Sequence, residues 1–157
     1  MASTLFADLE RVDFDTPIAG VDEIEAVNPQ RGAMRHLDAV VRFDLEQGVG
    51  VGYKEVREDE FWVPGHIPGR PLLPGVIMIE AAAQFSAYLM KLKRPEVGFI
   101  GFVGCDQVKF RSQVTPPNRL ILIAREKQFR PRRMICDIQG VVDDTLVFEA
   151  TITGMPI

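Results

Sequence analysis

Hydrophobic and polar positions divide the chain into recognisable segments. The longest apolar run, Val76 to Met90, is broken by Glu80 and Gln84 and continues to Lys93, with Pro95 just beyond. That length and stop signal predict one long helix over 76–93. Elsewhere the period shortens. "HLDAVVRFDLEQGVGVGYKEVRE" (36–58) reads as two strands with a glycine-rich turn or bulge near Gly48 to Gly52. "VGFIGFVGCDQVKF" (97–110) is apolar with interspersed glycines, as in a buried or tightly curved strand. "RLILIAREKQF" (119–129) and "RMICDIQGVV" (133–142) flank a turn at Arg130 and Pro131, and "VDDTL" turns into a last strand, "LVFEATITG" (146–154). A short helix is expected within 18–29, ending before Pro29, and a rigid loop over 61–75. Residues 1–16 look like a polar, mobile lead-in to one domain over 17–157. One long helix with five or six antiparallel strands predicts an α+β domain, its sheet curled around the helix.

Composition narrows the classes. With 157 residues, 46% hydrophobic and 25% charged, the chain is long enough for one sizeable core and is not of disordered type. A net charge of −4 argues against a general nucleic-acid binder. The two cysteines, Cys105 and Cys136, fall in expected strands and read as buried free thiols, and no Cys/His cluster has metal-ligand spacing. The first residues lack the apolar stretch of a secretory signal, and the apolar helix is too short for a bilayer, which needs about 20 residues. A soluble cytoplasmic protein is the expectation.

Candidate chemistry concentrates in "PGHIPGRPLLPGVIMIEAAAQ" (64–84). Four prolines and three glycines fall within 64–75, together with one of only two histidines. Proline fixes φ, so this loop should be stiff and pre-formed. Gly75 opens the helix, where unpaired backbone N–H groups and the positive end of the dipole suit an oxygen gaining negative charge, such as a thioester carbonyl becoming an enolate. Glu80 and Gln84, four residues apart, share a helix face. Among Val76 to Ile79 and Ala81 to Ala83 a carboxyl is costly to ionise, which suits a general acid. His66 is a base of useful strength near neutral pH. Rigid histidine, dipole end and enclosed glutamate together make a site for removing a proton α to a carbonyl.

These residues also carry a resemblance. Gly65-His66-Ile67-Pro68-Gly69-Arg70-Pro71-Leu72-Leu73-Pro74-Gly75-Val76, followed by Glu80-Ala81-Ala82-Ala83-Gln84, resembles without a gap the pattern G-H-F-P-G-x-P-x-x-P-G-V-x-x-x-E-A-x-A-Q of the FabZ-type 3-hydroxyacyl-[acyl-carrier-protein] dehydratases. Only Ile67 replaces the usual Phe. Weaker similarity extends over roughly 20–155: "GCDQVKF" (104–110) resembles G-I-D-x-x-x-F, and "VTPPN" (114–118) resembles V-x-P-G-D. The family's upstream P-H-R-x-P-F-L-L-V-D stands here as "PQRGAMRHLD" (29–38), with Gln30 for His, Ala33 and Met34 for Pro-Phe, and Arg35 and His36 where the family is apolar.

The resemblance implies the hot-dog fold, a curled antiparallel sheet wrapped around one long central helix. It also implies a homodimer or trimer of dimers, with each site shared between subunits. Its implied activity is dehydration of (3R)-hydroxyacyl thioesters, carried on the phosphopantetheine of acyl carrier protein, to trans-2-enoyl thioesters in fatty-acid or related biosynthesis. No metal or redox cofactor is called for. His66 would be the base and Glu80 the acid. Gly75 would polarise the carbonyl, Gln84 would orient Glu80, and Phe99, Phe102 and Phe110 would line the acyl site. A basic rim for the acidic carrier is sought in Lys109, Arg111, Arg130, Arg132 and Arg133, with Arg111 first among them. A hot-dog thioesterase, an enoyl isomerase and a non-catalytic acyl-binding scaffold are the alternatives.

Overall fold

The computed structural model describes residues 4–157. The elements follow in the order α1 (Val21–Glu25), β1 (Ala39–Asp44), β2 (Val49–Val56), α2 (Gly75–Lys93), β3 (Ile100–Phe110), β4 (Asn118–Arg130), β5 (Arg133–Val142) and β6 (Thr145–Pro156). All six strands join one antiparallel sheet in the order β1-β2-β4-β5-β6-β3. It curls around α2, which contacts β2 through β6. This is the expected hot-dog architecture. Among the described residues no helix is long and apolar enough to cross a membrane.

Helix α2 is apolar nearly all round because it is enclosed. Ile77, Met78, Phe85, Tyr88, Leu89 and Met90 are buried against the sheet. Each such side chain stabilises the fold by about 1.5–3 kcal/mol. The turn or bulge expected near Gly48–Gly52 is a turn narrower than that span. Only Gly48, at φ 68°, serves the turn, while Gly50 and Gly52 lie inside β2. They are small there because the helix presses on the strand. A Cβ at Gly50 would stand 2.7 Å from Leu89 Cδ1, and one at Gly52 3.0 Å from Phe85 Cε2.

The central strands are buried on both faces. Leu120, Leu122 and Ala124 of β4 face the helix core. Ile121 and Ile123 face outward, into a second cluster with Val51 and Val141. Leu5, Phe6, Leu9, Val12 and Phe14 cover that cluster. The Phe6 N–H donates to Gln139 Oε1 at 2.9 Å, and Gln139 Nε2 returns a bond to the Thr4 carbonyl at 3.0 Å. The segment read as a mobile lead-in is thus, from residue 4, a strap across the outer sheet; residues 1–3 lie outside the described residues. Both cysteines are free thiols, Cys136 buried and Cys105 half-buried. Burial pushes the Cys136 thiol up to about 12.

Strand β3 is an edge of the sheet and pairs only with β6. Phe102, Val103 and Phe110 along it are 49%, 53% and 52% exposed, and Val76 at the start of α2 is 70% exposed. That is an unusual concentration of bare apolar surface beside an unpaired strand edge.

Candidate active site

The loop between β2 and α2 is held at three places. At its start, buried Lys54 donates to Glu60 Oε1 at 2.5 Å, and Glu60 Oε2 accepts the Arg57 N–H at 2.9 Å. Trp62 is buried, and its carbonyl accepts the His66 N–H at 2.9 Å. At its end, buried Leu73 donates its N–H to the Val114 carbonyl at 2.8 Å. The exposed span between Trp62 and Leu73 is therefore short and braced, as the prolines predict.

His66 stands exposed on this span, with Nδ1 2.9 Å from the Leu72 carbonyl. A carbonyl can only accept, so Nδ1 carries the proton. In the neutral ring Nε2 is then the basic nitrogen, and it faces away from that bond.

Gly75 is the first residue of α2. Pro74 precedes it and supplies no side-chain cap. Among the described residues the Gly75 and Val76 N–H groups find no acceptor, while those of Ile77 and Met78 turn back to the Pro74 carbonyl. A Cβ at Gly75 would lie 2.7 Å from Phe110 Cζ, so only glycine fits beneath that ring. Phe110 itself stacks on Phe148, with centroids 5.7 Å apart.

Glu80 is half-buried rather than enclosed by apolar side chains, the surroundings expected from its neighbours in sequence. It opens onto a cavity of about 150 Å³ between α2 and the start of β3. Ala83 and Ala87 keep the helix side of that cavity shallow, and Phe99, Ile100, Phe102 and Met134 form its apolar wall. Phe99 and Phe102, two of the three residues expected to line an acyl site, both line this cavity. Phe110, the third, does not line it and lies over Gly75. His66 does not line the cavity of its own chain.

Gln84 is the hub of the site. Its Oε1 accepts the His36 N–H at 2.8 Å, and its Nε2 donates to the Met34 carbonyl at 2.7 Å and to Glu80 Oε1 at 2.8 Å. A backbone N–H only donates and a carbonyl only accepts, so the amide has one possible orientation. Asn28 Nδ2 adds a bond of 2.9 Å to the Gln84 carbonyl. The altered segment 30–36 is thereby tied to Glu80. His36, one of its polar newcomers, is 1% exposed with both ring nitrogens unpartnered. Burial, then the Lys54 charge, lowers its pKa to about 4, so it is neutral. Arg35 turns aside to Asp38 at 3.0 Å and Glu25 at 3.6 Å.

The five basic candidates separate into two groups. Lys109 and Arg111 flank Phe110, near Gly75, and Arg111 is paired with Glu149 at 2.6 Å. Arg130, Arg132 and Arg133 are exposed at the β4–β5 hairpin tip, by the other end of α2, where Arg94 holds the Phe129 carbonyl. A helix of this length separates its two ends by roughly 28 Å. Asn28, Gln30, Met134 and Lys91, also around the cavity, were not singled out as site residues from sequence. Two of them carried a signal: Gln30 stands where the family pattern has His, and Lys91 continues the stripe of Glu80, Ala83, Gln84 and Ala87 along one helix face.

Comparison with known proteins places these features. The FabA-like domain matches residues 28–151. A FabZ 3-hydroxyacyl-[acyl-carrier-protein] dehydratase of Herpetosiphon aurantiacus is 36% identical over 132 residues, 82% of this chain and 92% of that protein. The FabZ dehydratase of Lactococcus lactis subsp. cremoris is 32% identical over 135 residues, 85% of this chain and 92% of that protein. Among solved structures, the dehydratase heterocomplex ApeI:P of Xenorhabdus doucetiae superposes with a TM-score of 0.73 at 15% identity, covering 85% of this chain and 90% of that one. That likeness bears on the fold alone.

Proposed function

This chain belongs to the FabA-like domain family, alongside the FabZ dehydratases, and on that footing we propose that it dehydrates (3R)-hydroxyacyl thioesters of acyl carrier protein to trans-2-enoyl thioesters in fatty-acid biosynthesis. The observation that carries the reading is Glu80, held by Gln84, at the mouth of an apolar cavity. The thioester carbonyl sits at the start of α2, where the Gly75 N–H donates to it and the dipole favours the forming enolate. His66 Nε2 takes the α-proton. Gln84 donates to Glu80 Oε1, which leaves Oε2 to carry the proton delivered to the β-hydroxyl. Water leaves as the Cα–Cβ double bond forms. Side chains perform both proton transfers, so the mechanism calls on no cofactor.

Assembly completes the site. His66 is absent from the Glu80 cavity of its own chain, and β3 leaves an apolar edge unpaired. Both features fit a homodimer joined through β3, in which the His66 of one subunit serves the Glu80 of the other; three such dimers would make a hexamer. The carrier's acidic surface meets the hairpin arginines Arg130, Arg132 and Arg133 more readily than Arg111, whose charge Glu149 already answers. A cytoplasmic location accords with such a substrate.

The test is incubation of the pure protein with 3-hydroxyacyl thioesters of graded length, read by mass spectrometry. The expected product is the 2-enoyl thioester. A free acid would identify a thioesterase, a shifted double bond an isomerase, and unchanged substrate a scaffold.

A further inference from the structure

The short segment Asn28–Gln30 forms one side of the Glu80 cavity. Its main chain is immobilised from below. Arg31 donates through Nη1 to the carbonyls of Asn28 and Gln30 at 2.8 and 2.9 Å, and through Nη2 to that of Glu25 at 2.6 Å. On this fixed backbone Gln30 lines the cavity, and its Oε1 is buried without a hydrogen-bond partner. Buried acceptors are nearly always satisfied, and an orphan one needs an explanation. It belongs to a residue that lines the same cavity as the proposed acid, where Gln84 Oε1 is already taken by the His36 N–H.

The chemistry supplies a donor. A β-hydroxyl has one O–H and two lone pairs. When Glu80 protonates a lone pair, the oxygen leaves as water carrying both that proton and its own. The original O–H needs an acceptor throughout, more so as positive charge builds on the oxygen. We propose that Gln30 Oε1 is that acceptor: Gln30 binds the substrate β-hydroxyl, aims its oxygen at Glu80 and so helps select the configuration at C3. The proposal rests on the dehydratase reading above. It concerns a residue of the altered segment, where the family pattern has histidine.

The experiment uses the full chain as it assembles, a (3R)-3-hydroxyacyl pantetheine thioester as substrate and the matching saturated acyl thioester, which lacks the hydroxyl, as competitive inhibitor. Gln30→Met keeps bulk and removes the acceptor. It should lower kcat/KM roughly ten- to a hundredfold, the range for a hydrogen bond to a charge-bearing group. Inhibition by the saturated thioester should stay within about twofold, because that ligand never makes the bond. Gln30→Ala, with no steric demand, should behave likewise, while Gln30→His restores an acceptor and should recover most of the loss. Saturated-thioester binding also certifies the fold of each variant. Wild-type kcat/KM in both Gln30→Met and Gln30→Ala would overturn the assignment, as would an equal loss for substrate and saturated analogue. Wild-type protein that turns over no 3-hydroxyacyl thioester would instead overturn the dehydratase reading, and this inference with it.

Discussion

Gln84 donates to Glu80 at 2.8 Å, and residues 48 and 50 positions away in sequence set the direction of that bond. The His36 N–H and the Met34 carbonyl hold the amide so that its remaining hydrogen points at the carboxyl. Gln84→Leu removes that hydrogen and strands two backbone groups. The cost should be about 2–6 kcal/mol of stability, taking about 1–3 kcal/mol for each unsatisfied group, with kcat lowered roughly tenfold or more by the lost positioning. Denaturant melts and steady-state kinetics check both. Unchanged kcat would show that Glu80 needs no such guide.

His66→Ala and Glu80→Gln should each slow dehydration by about 10²–10⁴-fold, the usual worth of a positioned acid or base. If both act on one transition state, the double variant loses far less than the product of the single losses. Mixing the two inactive variants under subunit exchange should restore activity, because one site of each heterodimer then pairs wild-type His66 with wild-type Glu80. No recovery in proven heterodimers would rule out a site shared between subunits.

Light scattering should report a multiple of the 17.6 kDa chain. Val103→Glu places a charge on the exposed β3 edge. It should shift the protein toward monomer and abolish turnover, while circular dichroism stays that of the folded chain. A fully active 17.6 kDa species would sink the dimer reading.

The stability of the fold should fall in mild acid because of His36. Its folded pKa of about 4 lies below the ordinary 6.5, so between those values the unfolded chain binds a proton that the folded chain refuses. Stability is complete above about 6.5 and is lost as pH drops toward 4, by up to roughly 3 kcal/mol. His36→Leu should flatten that limb. It should also stabilise the protein at pH 7, since it removes two buried nitrogens without partners. Parallel pH–stability curves for wild type and His36→Leu would contradict this origin.

Lys54 and Glu60 offer a further test. Breaking this buried pair with Lys54→Met should destabilise by about 3–5 kcal/mol, because it leaves Glu60 uncompensated. Adding Glu60→Leu should recover much of that loss but free the Arg57 N–H that Glu60 accepts, loosening the His66 loop. A thermal-melt cycle of the four proteins reads the coupling.

The sequence by itself determined the elements and the catalytic candidates. The long apolar run from Val76 to Met90 and the stop at Pro95 pointed to a helix, alternation pointed to strands, and the run from Gly65 to Gln84 carried the family pattern. His66, Gly75, Glu80 and Gln84 were legible because they lie on one stretch whose prolines and helical period dictate local geometry. What only the tertiary structure decided involves residues far apart in the chain. Gly50 and Gly52 read as part of a turn or bulge because local propensity knows nothing of Leu89 and Phe85 pressing on the strand. The segment from Leu5 to Phe14 read as a lead-in because the outer sheet cluster it covers is assembled from β2, β4 and β5. Glu80 read as enclosed because its sequence neighbours are apolar, yet those neighbours point around the helix to the sheet, while Glu80 faces a cavity completed by Asn28, Gln30, Phe99 and Met134. Helical and strand periods reach a few residues along the chain; a cavity wall, an orphan acceptor or a covered face depends on where distant backbone passes, and only the folded chain brings those parts together.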